Sequence, residues 1–305
     1  MSENSSNQGP QTQRWLRRAV QLPYLWLLLF FLAPFLIIFK ISIADPIVAQ
    51  PPFTALLVWG AHGIQGIRAT VENYAFLFRD SYYGIIYLSS LKMAAIGTLL
   101  SLLLGYPMAY FIARQPPRRR QILLLAVILP FWISFLLRIY AWIGLLGNHG
   151  VINHFLMSVG IIHQPLTMLY NDFAVYLGIV YSYLPFMILP LYSNLERLNL
   201  DLLDAAADLG ARPWRAFVDV TLPLSIPGIV GGCLLVFIPA VGEFTIPALL
   251  GGADTLMIGR VLWDEFFVSR DWPVASAVSV VLLLLLIAPI VWFQHLQNRE
   301  LEAAR

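Results

Sequence analysis

The sequence predicts an all-α integral membrane protein with six transmembrane helices. Three observations carry that prediction. Of the 305 residues, 59% are hydrophobic and only 12% are charged. A soluble domain has about 25% charged residues, so this chain lacks the charge to cover a water-facing surface. Six segments reach the roughly 20 apolar residues a spanning helix needs, and mean hydropathy is +0.74. Lysine and arginine alternate in abundance between those segments, as insertion demands. Open sheet edges cannot sit in lipid and the runs lack barrel-strand alternation, so the spans are helical. A collagen, a disulfide scaffold and a disordered chain are excluded by the same composition. The one cysteine, Cys233, cannot form an internal disulfide. A net charge of +2 is too small to imply nucleic-acid binding.

The elements follow in order. Residues 1–21 form an amino-terminal tail, and Met1 to Gln13 is rich in Ser, Asn and Gln, a composition expected to be disordered. The first span runs from Leu22 to Ile43. It is charge-free from Leu22 to Phe39, longer than the roughly 7–15 residues of a cleaved signal peptide, so it reads as a retained anchor. A long loop from Ala44 to Tyr83 carries Pro51-Pro52 and several glycines. The second span is Gly84 to Ala113, with Lys92 near its start. The third is Ile122 to Leu146 and holds Arg138. The fourth is Phe173 to Leu195. The fifth, Ser225 to Leu250, holds Glu243. The sixth is Pro273 to His295. The spanning domain is therefore 22–295, and 296–305 is a carboxyl-terminal tail. Prolines inside the spans, such as Pro107, Pro130, Pro190 and Pro247, are tolerated because neighbouring helices satisfy the freed carbonyls. No internal repeat is evident, which disfavours a repeat-built secondary transporter.

Orientation follows from the basic residues. Alternate connecting segments hold 12 arginines in one set, among them Arg14, Arg118, Arg197, Arg212, Arg215 and Arg299. The other set holds Arg68, Arg79, Arg260 and Arg270. The first set faces the cytoplasm, which places both termini on the cytoplasmic side of the membrane. Asp45, Glu72, Asp80, Asp172, Asp254, Asp264, Glu265 and Asp271 fall on the opposite side. A negative outer vestibule would concentrate cations. The competing reading is that outer loops lack positive charge simply because insertion requires it.

The connection from Glu196 to Leu224 carries the most information. Asn199 or Asp201 can cap a helix. Ala205, Ala206 and Ala207 favour helix strongly, and Gly210 is placed to end it in the left-handed conformation. Pro213 suits the first turn of a second short helix. While helical, Asp204, Asp208 and Arg212 share one charged stripe. Leu202, Leu203, Ala206 and Leu209 form an apolar face.

The same residues resemble the signature of ABC importer permeases. That signature is Glu-Ala-Ala, three residues, Gly, nine residues, Ile, one residue, Leu-Pro. Here it reads Asp204-Ala205-Ala206, then Gly210, Val220 and Leu222-Pro223, with Asp for Glu and Val for Ile. The resemblance implies a type I ABC importer permease architecture with a cytoplasmic coupling helix. It assigns ATPase coupling to Asp204, Ala205, Ala206, Asp208, Gly210, Arg212, Leu222 and Pro223. It implies two copies of a cytoplasmic ATPase, a second homologous permease subunit, and a periplasmic binding protein, all at a lipid bilayer and without nucleic acid. An ATPase in a separate chain fits the residues. The two lysines, Lys40 and Lys92, do not follow glycine, so there is no phosphate loop. No cofactor is expected on this chain; ATP and Mg would act on the ATPase. His-Glu-x-x-His and Gly-x-Ser-x-Gly are absent, so no enzyme activity is expected.

Further stretches resemble polyamine importer permeases, the putrescine permeases above all. They are Phe237 to Gly252, Met257 to Phe267, Ser269 to Ala277, and Ile128 through Trp142. The resemblance extends over about Leu22 to Phe293. It implies putrescine, spermidine or a related polyamine as cargo and a binding protein for it. Residues that suit a cation are Glu243, Asp264 and the aromatics Trp132, Tyr140, Trp142, Tyr181, Tyr183 and Trp263, through cation–π attraction. An interfacial aromatic belt is the competing reading for each ring. Glu243 has three readings: contact with a substrate ammonium, an ion pair with Arg138, or bonds to backbone at a kink beside Pro239 and Pro247. Gly228 and Gly232 form a small-xxx-small packing pair. A permease for a basic amino acid, thiamine or ferric iron is the nearest alternative, and an ATPase-independent transporter the next.

Overall fold

A computed structural model describes residues 21–60 and 63–303. The expected amino-terminal tail and its disordered stretch lie outside these residues, Gln21 excepted. Among the described residues, five helices are long and apolar enough to cross a membrane. A sixth span is completed by a pair of helices, Pro213–Leu224 and Ile226–Val241, bent by 63°. The helical membrane class expected from the sequence is therefore present.

The chain divides into two compact units. One comprises Met1–Leu77 and Ser269–Val281. It contains α1, Gln21–Ser42, which takes a π turn at Leu28–Leu32. No residue from 21 to 40 is buried, as suits a helix surrounded by lipid or a partner. The loop after it holds an antiparallel hairpin, β1 (Leu57–Gly60) and β2 (Gly63–Ile67). The sequence predicts no strand here; among the described residues the two strands pair only with each other. The loop is tied back at α1. Asn73 donates to the carbonyls of Ser42 and Ala44, both at 2.9 Å, and the Ser42 and Tyr74 hydroxyls meet at 2.6 Å. A helix, α2 (Glu72–Arg79), leads out of the unit.

The other unit comprises Phe78–Val268 and Leu282–Arg305. Its first helix is α3, Ser81–Ala113, capped by Asp80, which accepts from the Tyr82 amide at 2.9 Å. The third span departs from expectation. In place of one helix over 122–146, the structure has α4 (Pro117–Ile128), a 3₁₀ turn over Leu129–Trp132, extended backbone at Ile133 and Ser134, and α5 (Phe135–Leu146). Pro130 cannot donate a backbone hydrogen bond, and the chain breaks there. The helical segment that qualifies as a span is Phe135–Ser158, which takes in α6 (Val151–Ser158). The fourth span is α7, Asp172–Glu196, capped by Asn171.

After the 196–224 connection come α8 (Asp201–Asp208) and α9 (Pro213–Leu224), then α10 (Ile226–Val241). The fifth span also breaks. Gly242, Glu243 and Phe244 are not helical, and α11 (Thr245–Leu250) resumes beyond them. A helix α12 (Ile258–Trp263) runs into a π turn at Asp264–Val268. The last helix, α13 (Trp272–Ala303), belongs to the first unit as far as Val281 and to this one from Leu282, and continues past the expected end of the sixth span at His295.

The core of this unit is the packing of α3, α7 and α10. Tyr106, Ala109 and Ile112 meet Met187, Ile188, Leu191 and Leu195, with Val236 from α10. Lipid is as apolar as these side chains, so close packing rather than the hydrophobic effect holds spans together. Gly228 and Gly232 show how close. A Cβ on Gly228 would lie 2.8 Å from Asn194 Cβ, and one on Gly232 would lie 3.1 Å from the Met187 carbonyl. The small-xxx-small pair therefore packs on the fourth span of its own chain.

Candidate functional site

The 196–224 connection folds locally as its residues dictate. The Asn199 side chain accepts from the Asp201 amide at 3.0 Å, taking up a free donor at the helix start. The helix stops at Asp208 because Gly210 adopts φ +82°, a left-handed conformation open to glycine without a Cβ penalty. Its amide and that of Ala211 bond back to Ala207 and Ala206 at 2.8 and 2.9 Å, closing the helix end. Pro213 opens α9 in the first turn. The expected stripe is corrected by this turn: Arg212 lies in extended backbone beyond the helix, so it does not continue the row of Asp204 and Asp208. The apolar face is split as well. Leu203 and Ala206 are half-buried, while Leu202 is exposed and Leu209 is 89% exposed.

The result is a surface with specific chemistry. Asp204, Ala205, Asp208, Gly210 and Arg212 are all exposed. Leu209 and Trp214 project beside them, Trp214 at 73%. Gly210, Arg212 and Arg215 line a polar pocket of about 370 Å³. Leu222 and Pro223 sit apart from that surface, at the bend into α10, where Ser225 is buried. A large exposed apolar side chain flanked by both charge signs suits a protein interface.

At the root of the connection Arg120 pairs with Glu196 at 3.0 Å, joining α4 to the end of α7.

The second candidate region is the fifth-span break. Glu243 is buried. Its Oε1 accepts from the amides of Thr245 at 2.9 Å and Ile246 at 3.3 Å, the free donors at the start of α11. Its Oε2 accepts from the Tyr183 hydroxyl on the fourth span. Of the three readings open in the sequence, the bonds to backbone at a kink are what the structure contains. Arg138 does not pair with it. Its guanidinium lies over Phe131 at 4.8 Å and Phe135 at 5.5 Å, and its Nε and Nη1 have no hydrogen-bond partner among the described residues.

Aromatic rings extend the break in both directions. Phe244 stacks on Trp263 at 4.4 Å, and Trp263 meets Phe267 at 4.1 Å. Tyr183 lies 6.2 Å from Phe186, which meets Phe131 edge-on at 5.3 Å. The two broken spans are thus linked through the fourth. Of the expected path residues, Glu243 lies in the break and Trp263 stacks on its neighbour Phe244, with exposed Asp264 next to Trp263. Tyr181 instead meets Trp142 at 5.3 Å. Trp132 and Tyr140 are exposed and join neither group. Phe131, Phe186 and Phe244 were not among the expected path residues. The signal for the break was local: Gly242 and an acid just before a short helix with Pro247 in its first turn.

Residues 101–302 match the family described as binding-protein-dependent transport system inner membrane component. The chain belongs to that family. It is an inner-membrane, multi-pass permease subunit. Among its relatives is the spermidine/putrescine transport system permease protein PotB of Haemophilus influenzae, 41% identical over 286 residues, which cover 93% of this chain and 95% of that one. PotB of Escherichia coli K12 is 42% identical over 236 residues, or 76% and 86% of the two chains. Among solved structures, a bacterial ABC transporter for import of alginate aligns with TM-score 0.65 at 18% identity, over 94% of this chain and 96% of that one. The MetNI methionine ABC transporter aligns with TM-score 0.52 at 18% identity, over 77% and 99%. These likenesses give the permease the fold of ABC importer membrane subunits.

Proposed function

We propose that this permease is the membrane subunit of an ATP-driven importer of putrescine, spermidine or related polyamines. The observation that carries the cargo is the 41% identity to a spermidine/putrescine permease over nearly the whole of both chains. Buried Glu243 amid aromatic rings is consistent with a path for an ammonium group, because such rings attract cations.

In this reading the 196–224 connection faces the cytoplasm, as do both termini. Asp204, Ala205, Ala206, Asp208, Gly210 and Arg212 dock in a separate ATPase, present in two copies, and Leu222 and Pro223 pass its movement to α10. ATP and Mg act on that ATPase. A periplasmic polyamine-binding protein delivers cargo to the outer loops, and a second homologous permease completes the path. One alginate importer has been solved with its periplasmic protein, which supports such an assembly here. ATPase closure would switch the spans from inward-facing to outward-facing. The breaks at Leu129–Ser134 and Gly242–Phe244 supply the bending points. Substrate passes Glu243, Trp263 and Asp264; Trp132, Tyr140 and Tyr181 line the same route in the assembled pair.

The test is uptake of labelled putrescine by cells lacking the gene and by the same cells complemented with it. Unlabelled spermidine, arginine and thiamine serve as competitors. Restored uptake, blocked best by spermidine, is expected. Equal uptake in both strains would discard the polyamine cargo.

A further inference from the structure

Pro213-Trp214-Arg215-Ala216-Phe217 puts two rings on one side of a helical turn. The exposed Trp214 ring stacks on Phe217, with centroids 5.8 Å apart and planes 25° apart. Behind Phe217 stand Tyr106 and Tyr110, four residues apart and so on one face of the second span. Both meet Phe217 edge-on, at 5.7 and 5.9 Å and at 90° and 87°. That geometry sets a positive ring edge against a negative face and is favourable beyond simple burial.

The tyrosines are held in turn. The Tyr106 and Ser225 hydroxyls lie 2.9 Å apart. Ser225 gives its single hydrogen to the Leu222 carbonyl at 2.9 Å, so Tyr106 is the donor between the two. Arg114 lies over the Tyr110 ring at 5.0 Å. Phe217 also opens the π turn Phe217–Thr221, a geometry concentrated at functional positions. A continuous packed path therefore runs from the exposed Trp214 through Phe217 to the second span, and through Tyr106 to Ser225 at the bend before α10. Packed interiors have low compressibility and pass displacement on.

We infer that Phe217 is a positioning residue for import: it carries a push applied near Trp214 by the docked ATPase into the second and fifth spans. The inference rests on the docking reading given above. In that reading Asp204, Ala205, Ala206, Asp208, Gly210 and Arg212 make the docking surface, with exposed Leu209 beside them, and Phe217 stands behind it.

The test uses the complete complex, purified and reconstituted in liposomes with its ATPase and binding protein. ATP hydrolysis, putrescine accumulation and retention of the ATPase are measured together. Phe217→Ala is expected to keep the ATPase bound and hydrolysing while putrescine moved per ATP falls about tenfold. Phe217→Tyr, which keeps the ring, should stay within about twofold of wild type. If the alanine variant does not accumulate in the membrane, Phe217→Leu takes its place. A wild-type ratio of uptake to hydrolysis in the truncated variant overturns the inference and leaves the docking reading standing. Loss of the bound ATPase would also overturn it, by placing Phe217 in the docking surface. A wild-type complex that neither retains the ATPase nor uses ATP overturns the docking reading and the inference with it.

Discussion

The Tyr183 hydroxyl donates to the carboxylate of Glu243, 60 residues further along the chain, where the fifth span breaks. The same carboxylate caps α11 through the Thr245 and Ile246 amides. One buried acid thus ties the fourth span to the start of a short helix. A buried carboxylate is costly unless its oxygens are occupied, and here three donors occupy them. The break is therefore a built feature held from two sides.

Removing the hydroxyl tests that tie. Tyr183→Phe leaves the ring in place and withdraws one donor from a buried charge. Hydrogen bonds to charged groups contribute about 1.5–3 kcal/mol, so thermal unfolding of the detergent-solubilised protein should shift down accordingly. Combined with Glu243→Gln, the two losses should fall short of additive by more than about 0.5 kcal/mol. Strict additivity would mean that the two side chains do not interact.

Glu243→Gln keeps a carbonyl oxygen for the Thr245 and Ile246 amides and removes the negative charge. If cargo ammonium passes this group, putrescine uptake should slow about tenfold, the equivalent of one charged hydrogen bond. The ATPase should remain bound. Uptake at the wild-type rate would restrict Glu243 to capping α11.

Gly210→Val should abolish uptake while the protein still inserts at normal levels on membrane immunoblots. The reason is φ +82° at Gly210. A left-handed conformation costs an ordinary residue roughly 1–2 kcal/mol, and a branched one is a genuine outlier there. The end of α8 must then re-form elsewhere and move Asp204 and Leu209. Gly210→Asn, which tolerates this conformation, should retain part of the activity.

Leu209→Asp changes a side chain that is 89% exposed. Stability should stay within about 0.5 kcal/mol, as for surface changes in general. Co-purification of the ATPase should fall sharply, since an apolar anchor at the centre of an interface contributes about 2 kcal/mol or more. Unchanged co-purification would move the docking surface off this helix.

The parts of the fold that are legible in sequence are those decided by neighbours in the chain. Asn199, Gly210 and Pro213 act within a few residues, and the helix, turn and helix they imply are present. The number of apolar segments is likewise local. The break at Pro130 was not legible, because hydropathy is the same whether or not a helix is interrupted; the kink at Glu243 was one of the readings that Pro239 and Pro247 left open. Pro130 is one of many prolines in spans, and most of the others sit inside continuous helices. Arg212 was assigned to a helical stripe by spacing alone, and the left-handed Gly210 removed it. Gly228 and Gly232 showed that something packs closely on α10. Only the fold shows that it is Pro190, Asn194 and Met187 of the same chain. The contacts of Tyr183 with Glu243 and of Phe217 with Tyr106 join distant segments, and no pattern in a single sequence encodes them.

In the proposed function, ATP hydrolysis on a separate ATPase drives polyamine import through this permease. The most direct measurement is accumulation of labelled putrescine in liposomes carrying the purified complex, with ATP inside, binding protein outside, and ionophores to collapse proton and sodium gradients. Accumulation is expected to require both ATP and the binding protein and to be indifferent to the ionophores. Accumulation that proceeds without ATP and disappears with the ionophores would contradict that function and make the chain a gradient-driven transporter.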